Sequence, residues 1–142
     1  VRYVGITTSH GRSHGELEHI MKTQPIDFVQ ATYNILDREV EQRILPLARE
    51  RGIAFIANRP FRRASLIDWA KKYPLPGFAE DIDCKNWAAF LLKFIVSHPA
   101  VTCAIPATTR TVHPIVDCYN WPSPCSVCNV TRSLSPCMAA GI

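Results

Sequence analysis

The sequence predicts an α/β fold in which four parallel strands alternate with helices. Short segments rich in β-branched residues alternate with segments whose apolar residues recur at helical spacing. The connections between successive strands are long enough to hold a helix, which a parallel sheet requires and a hairpin does not. Polar residues follow each strand at its carboxyl end, where β/α folds gather their functional loops.

Two strands and two helices are predicted in the first third of the chain. Val1–Thr7 is apolar enough to predict a strand with a neighbour on each side, and Asp27–Tyr33 predicts the second strand. The helices are predicted at Gly15–Thr23 and Glu39–Arg51. Pro46 falls inside the latter, so we expect a kink there and a new first turn, where the missing N–H donor is harmless.

Two further strands and two further helices follow. Gly52 is expected to end the preceding helix in a left-handed conformation, and Ile53–Asn58 predicts the third strand. Ala64–Lys72 predicts a short helix, Cys84–Ser97 a longer one, and Val101–Pro106 the last strand. The predicted buried face of the longer helix consists of Trp87, Phe90, Leu91, Phe94 and Ile95.

The composition favours a folded globular protein. The 142 residues are 47% apolar and 20% charged, which argues against wholesale disorder. The net charge of +4 is mild, which hints at an anionic ligand and not at nucleic acid. Only Arg59, Arg62 and Arg63 cluster, and both phosphate binding and a solvated loop are open interpretations of that cluster. No apolar run reaches the roughly 18 residues of a membrane span, and no secretory signal pattern begins the chain. A cytoplasmic protein is therefore expected.

The last quarter of the chain differs in character from the rest. Prolines punctuate it, four of the six cysteines lie there, and no helical or strand period persists. We predict a domain over residues 1–110 and an irregular Cys- and Pro-rich tail over 111–142. A C-x-x-C pair, Cys125 and Cys128, is compatible with zinc or with thiols that bind nothing, and the second interpretation is favoured.

The histidines near the first helix offer a second metal hypothesis. His10, His14 and His19 lie close to Glu16 in sequence, but a shared helical face is not assured, so solvated polar side chains are the favoured interpretation. No metal site is predicted.

Three stretches of the sequence resemble the aldo-keto reductase family. They are "VRYVGITTSHG", "DFVQATYNILDREVEQRILPLARERGIAFIANRPF" and "WAAFLLKFIVSHPAVTCAIPATTR", which together span about residues 1–110. The resemblance implies half of a TIM-type (β/α)₈ barrel, with helices outside and with the four strands here corresponding to the fifth to the eighth. The first four strands have no counterpart in the chain.

The resemblance also implies descent from an NADPH-dependent carbonyl oxidoreductase. The family catalyses with a Tyr, a Lys, an Asp and a His, all of which lie in the first half of the barrel. No residue of this chain aligns with them, so no catalytic residue is assigned and reductase activity is not expected from the chain alone. Tyr33 and His98 are not assigned as substitutes.

The resemblance implies a weak NADP(H) site at the carboxyl ends of the strands. The site consists of Thr7, Thr8, Gln30, Asn58, Arg59, Phe61, Thr108 and Arg110. Thr7, Thr8 and Gln30 correspond to positions that hold the nicotinamide carboxamide. Asn58 stands where the family often has an aromatic ring, and Arg59 offers a guanidinium for phosphate. The last two members of the set correspond to the positions for the 2′-phosphate and adenine.

Half of a barrel has two unpaired edges and an interior face open to water. A homodimer, or a higher assembly through the sheet edges, is therefore expected. The alternative function is that of a non-enzymatic, self-associating or stress-related partner-binding protein.

Overall fold

Four parallel strands form one sheet in the computed structural model, which describes residues 1–8 and 13–106. The strands are β1 (Gly5–Thr7), β2 (Phe28–Thr32), β3 (Ala54–Asn58) and β4 (Cys103–Ala104). They pair in chain order, and every pair is parallel. The predicted α/β fold with four parallel strands is confirmed. The predicted tail over 111–142 lies outside the described residues.

The helices occur where the spacing predicts them; the first begins one residue earlier than predicted, and the other three are shorter. They are α1 (His14–Thr23), α2 (Ile44–Arg51), α3 (Ser65–Ala70) and α4 (Trp87–Val96), with 3₁₀ turns at Glu39–Glu41 and Gly77–Ala79. Pro46 lies in the first turn of α2, where the backbone N–H has no helical partner in any case. Gly52 ends α2 with a φ of 66°, as expected. Among the described residues, no helix is long and apolar enough to span a membrane.

The first and last strands are shorter than their predicted ranges, Val1–Thr7 and Val101–Pro106. The backbone of Val4 bonds to the turn before β2: its N–H donates to Asp27 Oδ2 at 2.8 Å, and its carbonyl accepts from the Asp27 N–H at 2.7 Å. The residues before β1 are thus held by a side chain and a turn. Within the described residues β1 pairs with β2 alone, so the expected second neighbour is not seen there.

The two faces of the sheet differ in burial. One face, which we call the covered face, consists of Val29, Ala31, Phe55 and Ala57, each with no exposed surface. These side chains belong to one apolar cluster with Leu17 and Met21 of α1, Ile44 and Leu45 of α2, and Ile95 of α4. The opposite face, which we call the open face, consists of Thr7, Phe28, Gln30, Thr32, Ile56 and Cys103, all half-buried or exposed. The helices therefore pack on one side of the sheet.

The buried stripe of α4 differs from the predicted one. Its buried residues are Leu91, Leu92 and Ile95. The three predicted aromatic residues, Trp87, Phe90 and Phe94, are only half-buried. Phe94 packs against the apolar cluster of the covered face. Trp87 and Phe90 instead contact Tyr73 and Phe78, in the segment that precedes the helix. Trp87 also packs edge-on against Phe90, with ring centroids 5.5 Å apart.

Candidate functional site

The carboxyl ends of β1, β2 and β3 bring predicted site residues together at one edge of the sheet. Thr7 is in register with Gln30, and Thr32 is in register with Asn58. Residues in register on parallel strands point to the same face, so Thr7 and Gln30 are neighbours on the open face. The Gln30 side chain is half-buried and makes no hydrogen bond to another described residue. Its amide is thus available to a ligand at this edge.

Asn58 connects the ends of three strands. Its Nδ2 donates to the carbonyl of Thr8 at 3.1 Å, and its Oδ1 accepts from the Thr32 hydroxyl at 2.9 Å. The Thr8 N–H in turn donates to the carbonyl of Gln30 at 2.9 Å. Asn58 is only 7% exposed, and a buried amide is costly unless it is hydrogen-bonded. The two polar atoms of the Asn58 amide therefore hold the end of β3 to the ends of β1 and β2.

The loop after β3 has an unusual backbone. Arg59, Arg62, Arg63 and Ala64 have φ values of 51°, 47°, 58° and 72°. Residues other than glycine seldom adopt this conformation, which costs about 1–2 kcal/mol each. Such strain persists only where the surroundings hold it in place, and it is typical of functional loops.

A buried asparagine holds this loop. Asn34 has no exposed surface, and its Nδ2 donates both to the carbonyl of Arg59 at 3.2 Å and to Asp37 Oδ2 at 2.8 Å. Its Oδ1 accepts from the backbone N–H of Leu36 and of Asp37. Asp37 also pairs with Arg62, whose Nε lies 3.0 Å from Oδ2. The loops after β2 and β3 thus form one connected network.

The loop after β3 carries three arginines and follows the carboxyl end of its strand, as Gln30 and Thr7 lie near the carboxyl ends of theirs. Arg59 and Phe61 are half-buried, whereas Arg62 and Arg63 are exposed. A guanidinium offers a planar set of donors that suits phosphate. The other two predicted site residues, Thr108 and Arg110, lie outside the described residues.

Tyr33 lies behind this edge and is a core residue. It is 1% exposed, its ring packs against Phe55 and Phe94, and its hydroxyl donates to Glu41 Oε1 at 2.7 Å. Burial, followed by the bond to Glu41, raises the pKa of Tyr33 above its usual range. Hydrogen bonds from Arg38 lower the pKa of Glu41. A tyrosine held protonated in the core is a poor proton donor, and no catalytic role is assigned to Tyr33.

Sequence reasoning missed the residues that support this site. Neither Thr32 nor the Asn34, Asp37 and Arg62 network was predicted. A signal was present in part, since Asn34 follows a strand, and an asparagine there often bonds the backbone N–H two residues on in an Asx turn, as Leu36 shows. The contact between Arg62 and Asp37 has no local signal. The described residues contain no group of three His, Cys, Asp or Glu side chains able to hold a metal ion.

The fold and this edge define a class: a partial β/α barrel with a candidate site at the carboxyl ends of its strands. A sequence profile of the Aldo/keto reductase family matches residues 1–91, and the chain belongs to this family. The predicted family is thus confirmed, although the profile match ends before the predicted limit near residue 110. Members of the family typically use NAD(P)H.

One curated relative is the NADH-specific methylglyoxal reductase of Escherichia coli (strain K12). It is 32% identical over 72 residues, a stretch that covers 49% of this chain and 22% of that protein. The matched stretch is thus less than a quarter of that relative.

Two solved structures share the fold. The thermostable aldo-keto reductase Tm1743, in complex with the inhibitor epalrestat, superimposes with a TM-score of 0.63 at 25% identity and covers 89% of this chain. The glycerol dehydrogenase AKR11B4 from Gluconobacter oxydans gives 0.62 at 15% identity over 93% of this chain, a likeness of fold alone. The chain spans 46% and 48% of these two proteins. The predicted half of a (β/α)₈ barrel is therefore confirmed as a partial barrel of this family.

Proposed function

We propose that this chain is an NADP(H)-binding part of an aldo-keto reductase barrel, without reductase activity alone. The observation that carries the proposal is that Thr7 and Gln30 are neighbours near the carboxyl ends of their strands, in a chain of this family. A cytoplasmic location, expected from the sequence, remains part of the proposal.

The residues at the edge suit the chemistry of the dinucleotide. Gln30 offers an amide that both donates and accepts, and Thr7 offers a hydroxyl; together they match a carboxamide. Arg59 and its neighbour Arg63 offer guanidinium groups for the pyrophosphate. We propose that Asn58 positions the neighbouring Thr8 and Thr32, because both polar atoms of its amide are hydrogen-bonded to these residues.

Phe61 and Thr8 complete the described part of the proposed site. The half-buried ring of Phe61 would shield one side of the cofactor, and Thr8 would contribute its hydroxyl beside the carboxamide. Thr108 and Arg110 are proposed for the 2′-phosphate and adenine on the family resemblance alone.

Bound nicotinamide supplies a hydride, and carbonyl reduction also needs a proton for the carbonyl oxygen. None of the residues proposed at this edge is an acid that could supply this proton. The Tyr33 hydroxyl is buried in the core, where it donates a hydrogen bond to Glu41. We therefore expect cofactor binding without turnover. The substrate of the E. coli relative, methylglyoxal, is the first carbonyl compound to test, with consumption of reduced cofactor as the readout.

The binding test is a fluorescence titration with NADPH. Arg59→Ala removes a charged contact, so we expect affinity to fall by roughly tenfold to a hundredfold. Gln30→Leu keeps the size of the side chain and should cost roughly twofold to tenfold. The matched control is Arg51→Ala, which removes the same charge from the last residue of α2, at the opposite end of the sheet.

Two results would overturn this proposal: no saturable binding up to about 1 mM NADPH, or an equal loss in Arg59→Ala and Arg51→Ala. A parallel titration with NADH separates the two ends of the cofactor, since the E. coli relative is NADH-specific. Equal affinity for both cofactors would exclude a contact to the 2′-phosphate and leave the nicotinamide end intact.

A further inference from the structure

We propose that Asp37 limits the affinity of the proposed cofactor site by pairing with Arg62 and keeping that guanidinium from the phosphates. The arginine loop, residues 59–63, follows β3 and carries three arginines. Two of them, Arg59 and Arg63, are the proposed phosphate ligands and form no ion pair within the described part of the chain. The inference rests on the proposed function, and it adds a residue of the neighbouring loop that sets how tightly the cofactor binds.

The Asp37 carboxylate lies between residues of two loops. Its Oδ2 is 3.0 Å from Arg62 Nε and accepts a hydrogen bond from Asn34 Nδ2 at 2.8 Å. The same Asn34 nitrogen donates to the carbonyl of Arg59 at 3.2 Å, so it bridges the carboxylate and the Arg59 backbone. The negative charge of Asp37 is therefore close to Arg59 as well as to Arg62.

Arg62 is close enough to Arg59 to act on the same anion. Its backbone N–H donates to the Arg59 carbonyl at 3.1 Å, which is the hydrogen bond of a β-turn, and the ends of such a turn lie within about 7 Å of each other. At an ionic strength of about 0.1 M, charges are screened over about 10 Å, which is longer than this separation. An anion held by Arg59 therefore experiences the charges of both Arg62 and Asp37, which oppose each other.

The ion pair is held by the loops themselves. Exposed ion pairs often contribute little, because two long side chains lose their freedom when they form one. Asp37 is short, its side chain is only 23% exposed, and its N–H donates to Asn34 Oδ1 at 2.9 Å. The Arg62 carbonyl accepts from the Ser65 hydroxyl at 2.7 Å. The pair is thus in place before any ligand binds, and Arg62 contributes little net charge to the site.

The test is the NADPH fluorescence titration, repeated with Asp37→Asn. The amide keeps the size of the side chain and an oxygen that can accept from Asn34, but it removes the negative charge. NADPH affinity should rise by roughly threefold to tenfold at about 0.05 M salt, and the gain should fall below about twofold at about 0.5 M salt. A purely structural role predicts the opposite, because a loosened loop binds less tightly at either salt concentration.

Arg62→Gln shows whether the gain depends on Arg62. In the Asp37→Asn background it removes the released guanidinium, so NADPH affinity should return to within about twofold of the wild type. The matched control is Asp81→Asn, which removes the same charge from an exposed residue between α3 and α4 and should leave the affinity unchanged. If circular dichroism shows that Asp37→Asn is unfolded, Asp37→Ser replaces it, with the same expectation.

The outcomes separate this inference from the proposed function. Saturable NADPH binding with unchanged or lower affinity in Asp37→Asn overturns the inference and leaves the proposed function intact. A gain that persists in the double variant, or that also appears in Asp81→Asn, likewise overturns the role of the Arg62 pair. Absence of saturable binding in the wild type overturns both.

Discussion

The covered and the open face of this sheet consist of alternate residues of the same strands, yet they differ in chemistry. Phe55 and Ala57 are fully buried beneath helices, whereas their neighbour Ile56 is half-buried on the other side. The covered face contains only apolar residues, and the open face mixes apolar residues with Gln30 and Thr32. The covered face holds the fold together, whereas the open face is not buried by the helices.

The largest expected effect distinguishes the two faces directly. Phe55→Ala leaves a cavity in the covered face and should lower the free energy of unfolding by about 3–5 kcal/mol. Ile56→Ala removes a side chain that is already partly in water, so on dilute protein we expect about 1 kcal/mol. Urea unfolding measures both. Equal losses would mean that the open face is packed as tightly as the covered one.

The next largest effect is the pH dependence of the free energy of unfolding that Tyr33 causes. Tyr33 is buried directly after β2. Its pKa is raised in the folded protein, so the folded state holds the proton more tightly than the unfolded state does. This stabilisation is fully present below the pKa of about 10 that tyrosine has in the unfolded state. As pH rises above that value, the free energy of unfolding falls by up to about 1.4 kcal/mol per pH unit. Tyr33→Phe should remove this slope and cost about 1 kcal/mol at pH 7.

Unfolding free energies at about pH 7, 10 and 11 provide the measurement. Tyr73→Phe is the control, because Tyr73 is 52% exposed and should keep the alkaline slope of the wild type. A slope that survives in Tyr33→Phe would show that another group causes the alkaline loss of stability.

The smallest expected changes in stability concern two glycines, one in α1 and one at the end of α2. Gly52 has a φ of 66° after α2, so Gly52→Ala should destabilise by about 1 kcal/mol. Gly15 lies in α1, and a Cβ added there meets no atom within 4 Å. Gly15→Ala should therefore stabilise by about 0.5 kcal/mol. Thermal unfolding of the two variants should give shifts of opposite sign, and shifts of the same sign would contradict this account.

The strands and helices are predictable from the sequence because the residue patterns that indicate them are local. The alternation of apolar residues in "DFVQATY" and "IAFIAN" indicates strands, and Gly52 marks the end of a helix by its position alone. The strand ends were less predictable. Val4 leaves the strand because Asp27, 23 residues away, binds its N–H, and nothing near Val4 in the sequence indicates this.

The candidate site was predictable by position but not by role. Thr7, Gln30 and Arg59 were assigned through the family resemblance, and the parallel register brings the first two together. The contact of Asn58 with the ligand stays a prediction; its side chain also bonds to Thr8, 50 residues earlier in the chain, and to a threonine of β2, a supporting role without a local signal. Such a role depends on which strands are neighbours, and a single sequence does not state this.

The sequence by itself determined the four strands, the helices between them and the family, because periodicity, turn residues and a long ordered motif are properties of contiguous residues. The tertiary structure decided which strand residues are buried, how the arginine loop is held in left-handed backbone, and where Tyr33 directs its hydroxyl. These depend on contacts between distant residues, whose free energies exist only once the sheet has formed.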